Sequence, residues 1–283
     1  MRLAGAAMSL ACLSGCSGGG GRSACHPGVN AAEAWIVNGQ QLRLLETGGS
    51  KAVSYAFKQA SLFVLERPRN LSQTGQTVAY FTSYQALKLA IESRALPPGV
   101  RWVMYDNERW TQTPLVEQDN PKRYMTLFAN LAHRHGYKVI LAPAQDLVFG
   151  SSGSGSYAPG PAWRRYMSMG LAAAAARVAN IYEIQAQANE LPAHRASDAY
   201  EKFIRAAANQ ARSANSHIAI FAGLSTKRVS NASQLYQDFL ATRSFVTGYW
   251  LNIPRSGQAN PDSMAARFLA QLPAAAAAGS GSC

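Results

Sequence analysis

Short apolar runs alternate with amphipathic stretches along most of this chain. Residues 61–66 (SLFVLE) form an apolar run closed by Arg67-Pro68, which predicts a strand. Residues 83–94 then place Tyr84, Leu87, Ala90 and Ile91 at helical spacing, with Ser83 as N-cap. Residues 100–108, entered from Pro97-Pro98-Gly99, predict the next strand. Asn120-Pro121 opens a helix to His135: the Asn caps, the proline takes the first turn and Gly136 stops it. Tyr124, Leu127, Phe128 and Leu131 form its inner stripe. Residues 138–142 predict a third strand, 163–178 an Ala-rich helix and 180–187 a fourth strand. A helix at 198–214 capped by Ser197, a strand at 217–221 and a helix at 232–242 capped by Ser230 or Asn231 follow. A sixth strand at 245–253, closed by Pro254, and a helix at 261–272 end the pattern.

Strands alternating with helices imply parallel pairing through right-handed crossovers. Six such units predict an α/β fold, a TIM-type (β/α)8 barrel, irregular or incomplete, filling residues 29–273 as a single domain. The two units needed to complete it must come from residues 29–58 and 77–81, or be absent. Residues 31–45 read equally as a helix or a hairpin. No Gly-rich phosphate loop follows any strand, which argues against a nucleotide-binding open sheet. The Gly/Ser-rich stretch 150–160 reads as an unstructured excursion or as a lid.

With 283 residues, 48% hydrophobic, one large core is affordable. The net charge of +12 comes from scattered Lys and Arg with no nucleic-acid motif, so no nucleic-acid partner is expected. It fits a soluble basic protein, or one drawn to an anionic envelope surface or polymer. Met1-Arg2, a small apolar run and Leu13-Ser14-Gly15-Cys16 resemble the signal and lipobox of bacterial lipoproteins. That resemblance implies a signal at 1–15, lipidation of Cys16, a tether at 16–28 and an extracytoplasmic, membrane-anchored protein, expected to be monomeric. Cys12 would leave with the signal, so Cys25 and Cys283 remain as a disulfide or as two free thiols, the latter on an Ala/Gly/Ser tail at 274–283.

The candidate chemistry gathers where strands end, the end that carries catalysis in parallel barrels. Residues two apart on a strand share a face, so Asp106 and Glu108 point the same way. Glu66, Asp146, Gln185, Gln187 and Asn252 are the other polar candidates to line the pocket, with Tyr105, Trp110 and Trp250 as aromatic surfaces. Trp250 and Asn252 share one face and should look into the barrel, opposite Asp106 and Glu108, unless Trp250 packs outward under the last helix. Carboxyls, amides and aromatic faces together suit a sugar. No metal spacing links the histidines, no Gly-x-Ser-x-Gly elbow is present, and no cofactor or metal is expected.

An apolar strand running into Asp106-Asn107-Glu108 resembles the catalytic strand of barrel glycoside hydrolases, the chitinase-like family 18 and the lysozyme-like family 25. The resemblance implies Glu108 as general acid with Asp106 as its modulator, acting on an envelope or environmental polysaccharide. The earlier acidic positions of the longer chitinase motif fall here on Arg101 and Met104. Asn189-Glu190 also resembles the acid/base pair of the large retaining-glycosidase clan. The rival expectation is a non-catalytic cell-surface barrel that binds glycans or a protein.

Overall fold

The computed structural model describes residues 34–48, 51–57, 62–152, 161–190, 197–227, 229–254 and 261–272. The signal segment, the tether, all four cysteines, the tail and residues 153–160 of the Gly/Ser-rich stretch lie outside the described residues.

Eight strands close into a parallel barrel in simple chain order. They are β1 (Ala34–Asn38), β2 (Leu62–Glu66), β3 (Gln76–Phe81), β4 (Trp102–Tyr105), β5 (Lys138–Leu141), β6 (Ile181–Ile184), β7 (Ala219–Ser225) and β8 (Gly248–Asn252). The chain is therefore a (β/α)8 TIM barrel. The two strands that periodicity left open are β1 and β3. β1 was hard to read because α1 (Gly39–Thr47) follows without a loop, with the Asn38 side chain capping Gln40 N. One short stretch thus carries both a strand and a helical period.

Alternation along the strands sorts side chains into two apolar layers. Ile36, Phe63, Leu65, Val78, Trp102, Met104, Ile140, Ala142, Ile181, Phe221 and Trp250 fill the barrel. Trp35, Val37, Leu62, Val64, Tyr105, Leu141, Tyr182, Leu224 and Tyr249 face the helices. Burial of both faces explains why the strands read as unbroken apolar runs. Inside the barrel, Phe63 and Trp102 meet edge to face at 5.0 Å. Outside it, Trp35 packs against Phe57, Phe239, Tyr249 and Phe268.

The outer ring comprises α2 (Lys51–Ala56), α3 (Tyr84–Glu92), α4 (Leu115–Asp119), α5 (Pro121–Arg134), α6 (Pro161–Met169), α7 (Leu171–Ala176), α8 (Ser197–Ala214), α9 (Ala232–Thr242) and α10 (Pro261–Leu269), besides α1. Ser83 and Asn231 cap α3 and α9 by accepting from Ala86 N and Gln234 N. Asn120 stands at the N-cap of α5, but its side chain makes no cap bond there: its amide donates to Val116 O, in the first turn of α4. The expected helix over 163–178 is two helices, because Gly170 takes a left-handed conformation (φ +68°) between α6 and α7. No helix among the described residues is long and apolar enough to cross a membrane.

Candidate active site at the barrel mouth

β4 ends at Tyr105, but its backbone pairing runs on. Asp106 N donates to Phe81 O, Ala142 N to Tyr105 O, and Ala144 N to Asn107 O. The extended geometry therefore continues, and the inward face carries Trp102, Met104, Asp106 and then Glu108. Asp106 is 2% exposed and sits at the top of the apolar filling. Tyr80, from the neighbouring β3, donates to Asp106 Oδ2 at 2.9 Å. The Gln185 amide donates both to Asp106 Oδ1 and to Ala142 O, the latter at 2.8 Å. Gln145 Nε2 donates to the Gln185 carbonyl at 3.0 Å, so the residue that holds Asp106 is itself held.

Glu108 faces a cavity of about 290 Å³ at the C-terminal mouth. Gln145, Gln185 and Gln187 line it beside Glu108, and Trp110, Trp250 and Asn252 complete much of the wall, with Ser225 and Lys227 opposite. Burial is the main reason the Glu108 carboxyl is pushed up to about 9, and the charges of Asp106 and Asp146 add to it. Burial also raises Asp106, to about 7, against the opposing effect of its Tyr80 and Gln185 hydrogen bonds. Two acids on one face thus have different environments: Asp106 is braced by Tyr80 and Gln185, while Glu108 has Gln185 alone opposing its burial, opens to the cavity and is raised further.

Beneath them lies Glu183, on the inward face of β6, fully buried and with neither carboxyl oxygen partnered among the described residues. Burial first, then the charges of Asp106 and Glu108, push it well above the ordinary carboxylate range. Burial without a partner therefore disfavours the charged form of Glu183.

Six sequence-selected residues therefore meet around one cavity with Asp106 beneath its wall: Glu108, Trp110, Gln185, Gln187, Trp250 and Asn252. Trp250 belongs to the inner layer, not to the layer under α10. Gln187 lies past β6, in a 3-10 turn, and its amide occupies the space that a Cβ on Gly223 would need.

Three candidates fall elsewhere. Glu66 is on the outer face of β2, where its Oε1 pairs with Arg43 Nη1 at 3.0 Å. It fits because the first residue of α1 is Gly39; a Cβ there would lie 2.0 Å from Glu66 Oε1. Tyr105 also points outward, opposite Asp106 by strand alternation. It stacks on Phe128 at 4.7 Å and donates to Glu117 Oε2 at 2.5 Å. Asp146 stands behind Glu108 rather than in the lining, accepting from Arg109 N at 3.1 Å. The Asn189-Glu190 pair is likewise not at the mouth: Glu190 is fully buried and both its oxygens accept from Ser225 N.

Tyr80, one of the aromatics interleaved along the chain, and Glu183, one of the polar groups on the fourth strand of the sequence pattern, belong to the site, and Lys227 is the site residue that the sequence pattern did not mark. Tyr80 and Glu183 sit on inward strand positions, so strand alternation carried the signal once β3 was recognised. Lys227 lies beyond the end of β7 and left no local signal. Among the described residues no group of three or more His, Cys, Asp or Glu could hold a metal ion.

No protein-family model matches the chain, and no curated protein does. Solved barrels do. A chitinase from Chromobacterium violaceum is 11% identical, covering 89% of this chain and 100% of that one, with a TM-score of 0.45. An archaeal fructose-1,6-bisphosphate aldolase is 11% identical over 86% of this chain and 95% of its own, at 0.46. A sugar phosphate isomerase/epimerase from Parabacteroides distasonis is 9% identical over 88% and 96%, at 0.34. These likenesses concern the fold alone; their different chemistries carry no argument here.

Proposed function

We propose that this chain is a glycoside-hydrolase-like barrel acting on an envelope or environmental polysaccharide. One observation carries the reading: Glu108 faces the mouth cavity in an environment that keeps it protonated, while Asp106, two residues earlier, is braced behind it. A neutral carboxyl at that place donates its proton to the glycosidic oxygen as the C–O bond breaks. Water adds to the anomeric carbon, and its proton returns to the Glu108 carboxylate. Asp106, ionised in part near neutral pH, stabilises the positive charge that develops on the ring. Trp110 and Trp250 offer faces for the sugar's C–H surface, and the amides of Gln145, Gln185, Gln187 and Asn252 serve its hydroxyls.

One observation favours a second reading, a barrel that binds glycans without cleaving them. Glu108 is the one carboxyl among the described lining residues, so no acid faces it across the cavity. The test is reducing-end release from a panel of bacterial and plant polysaccharides. Under the hydrolase reading Glu108→Gln lowers the rate by about 10²- to 10⁴-fold and still binds. A wild-type protein that binds a polymer but cleaves none supports the binder, and a Glu108→Gln protein of full activity would reject Glu108 as the acid.

A further inference from the structure

The two walls of the mouth cavity carry different ionisable groups, carboxyls on one and an ammonium on the other. On the β4 side stand Glu108, with Asp106 and Asp146 behind it. β7 is three strands further round the closed ring. Past its end, on the facing wall, Lys227 lines the cavity beside Ser225, whose hydroxyl accepts from Lys227 N at 3.2 Å. Lys227 is the one charged base among the described lining residues, and the residue is exposed; an ammonium on a four-carbon stem is in general flexible and strongly hydrated. The other polar lining groups on that side, Gln187, Ser225 and Asn252, bear no charge. The chain as a whole carries a net charge of +12, which draws an anionic polymer toward the molecule from a distance.

Under the glycan reading, a sugar unit with its linkage oxygen at Glu108 would reach the part of the cavity that Lys227 lines. A substituent there meets a single ammonium and several amide N–H donors. Neutral hydroxyls make hydrogen bonds to the amides alone. A carboxylate gains a charge-assisted bond to the ammonium as well. Resting on the glycan reading above, we propose that Lys227 selects a sugar unit bearing a carboxylate, so that the substrate is a uronate-containing or otherwise carboxylated polysaccharide.

The test uses the full chain carrying Glu108→Gln, so that binding is read without cleavage. Calorimetry compares 1,4-linked hexamers in matched pairs: mannose with mannuronate, glucose with glucuronate, galactose with galacturonate. At least one uronate hexamer should bind about tenfold more tightly than its neutral partner at low salt. Adding Lys227→Met should collapse that preference to within twofold, and Lys227→Arg should keep most of it, with thermal melts confirming that each variant folds. Equal binding within all three pairs, binding in none, or a preference that survives Lys227→Met would overturn the inference. Wild-type protein that shows the preference but hydrolyses neither member sinks the hydrolase reading alone. Hydrolysis with no preference sinks this inference alone.

Discussion

The Tyr80 hydroxyl and the Asp106 carboxylate, 26 residues apart in sequence, meet at 2.9 Å on the inner face of adjacent strands. That donor opposes the effect of burial on Asp106. Tyr80→Phe should raise the Asp106 pKa further and cost about 1–2 kcal/mol of stability. A carboxyl carbon NMR titration, paired with a denaturation curve, reads both. An unmoved Asp106 titration would mean that Tyr80 packs there without tuning it.

Glu117 works on the outside of the barrel. Its carboxylate is 1% exposed and accepts from Tyr84 N at 2.8 Å, Gln85 N at 3.3 Å and the Tyr105 hydroxyl. It thus satisfies first-turn amides of α3 and opposes the positive end of that helix. Glu117→Ala should cost about 3–4 kcal/mol by leaving three donors unpaired. Glycan affinity of the folded variant should stay within twofold of the parent. A melting temperature equal to wild type would contradict this assignment.

Asp238, on α9, is 2% exposed, and its Oδ2 has no partner among the described residues. Burial pushes its carboxyl up to about 7. The folded state therefore holds a proton that the unfolded chain releases near pH 4. Its contribution to stability is full below pH 4 and is lost as pH rises through about 7. Asp238→Asn, neutral throughout, should gain on wild type over that window, by about 1–3 kcal/mol at pH 8. Parallel stability curves for the two proteins between pH 4 and 8 would rule out the buried charge as the cause.

Lipidation of Cys16 is a proposal from the N-terminal motif, and it has its own test. Globomycin should leave an unprocessed precursor, and Cys16→Ala should abolish acylation and its membrane anchor. A product that is fully soluble and indifferent to globomycin would remove the anchor from the proposal.

Much of the fold was legible because both strand faces are covered and the helices carry clear stripes. The same coverage hid part of the site. All five residues of β2 are buried, so no polar alternation marked Glu66 as outward; only the packing of Leu62 and Val64 against the helices does. For Tyr105 the sequence did hold the answer. Its position one residue before Asp106 puts it on the opposite face, and that rule outweighs its aromatic character. The pairs Asp106/Glu108 and Trp250/Asn252 were legible through the same two-residue period. The bond from Tyr80 depends on register between β3 and β4, where Tyr80 pairs with Met104. Such non-local pairing leaves no trace in local periodicity. Lys227 lies beyond a strand end, where loop geometry rather than alternation decides what faces the cavity.

The central claim is that Glu108 keeps its proton at neutral pH while facing the mouth cavity. The most direct measurement is a carboxyl carbon NMR titration of protein labelled at glutamate, with the Glu108 signal assigned by its loss in Glu108→Gln. Burial and the neighbouring carboxylates should leave that signal protonated at pH 7 and carry its midpoint to about 9. A Glu108 signal that titrates near pH 4–5 with the exposed glutamates would contradict it.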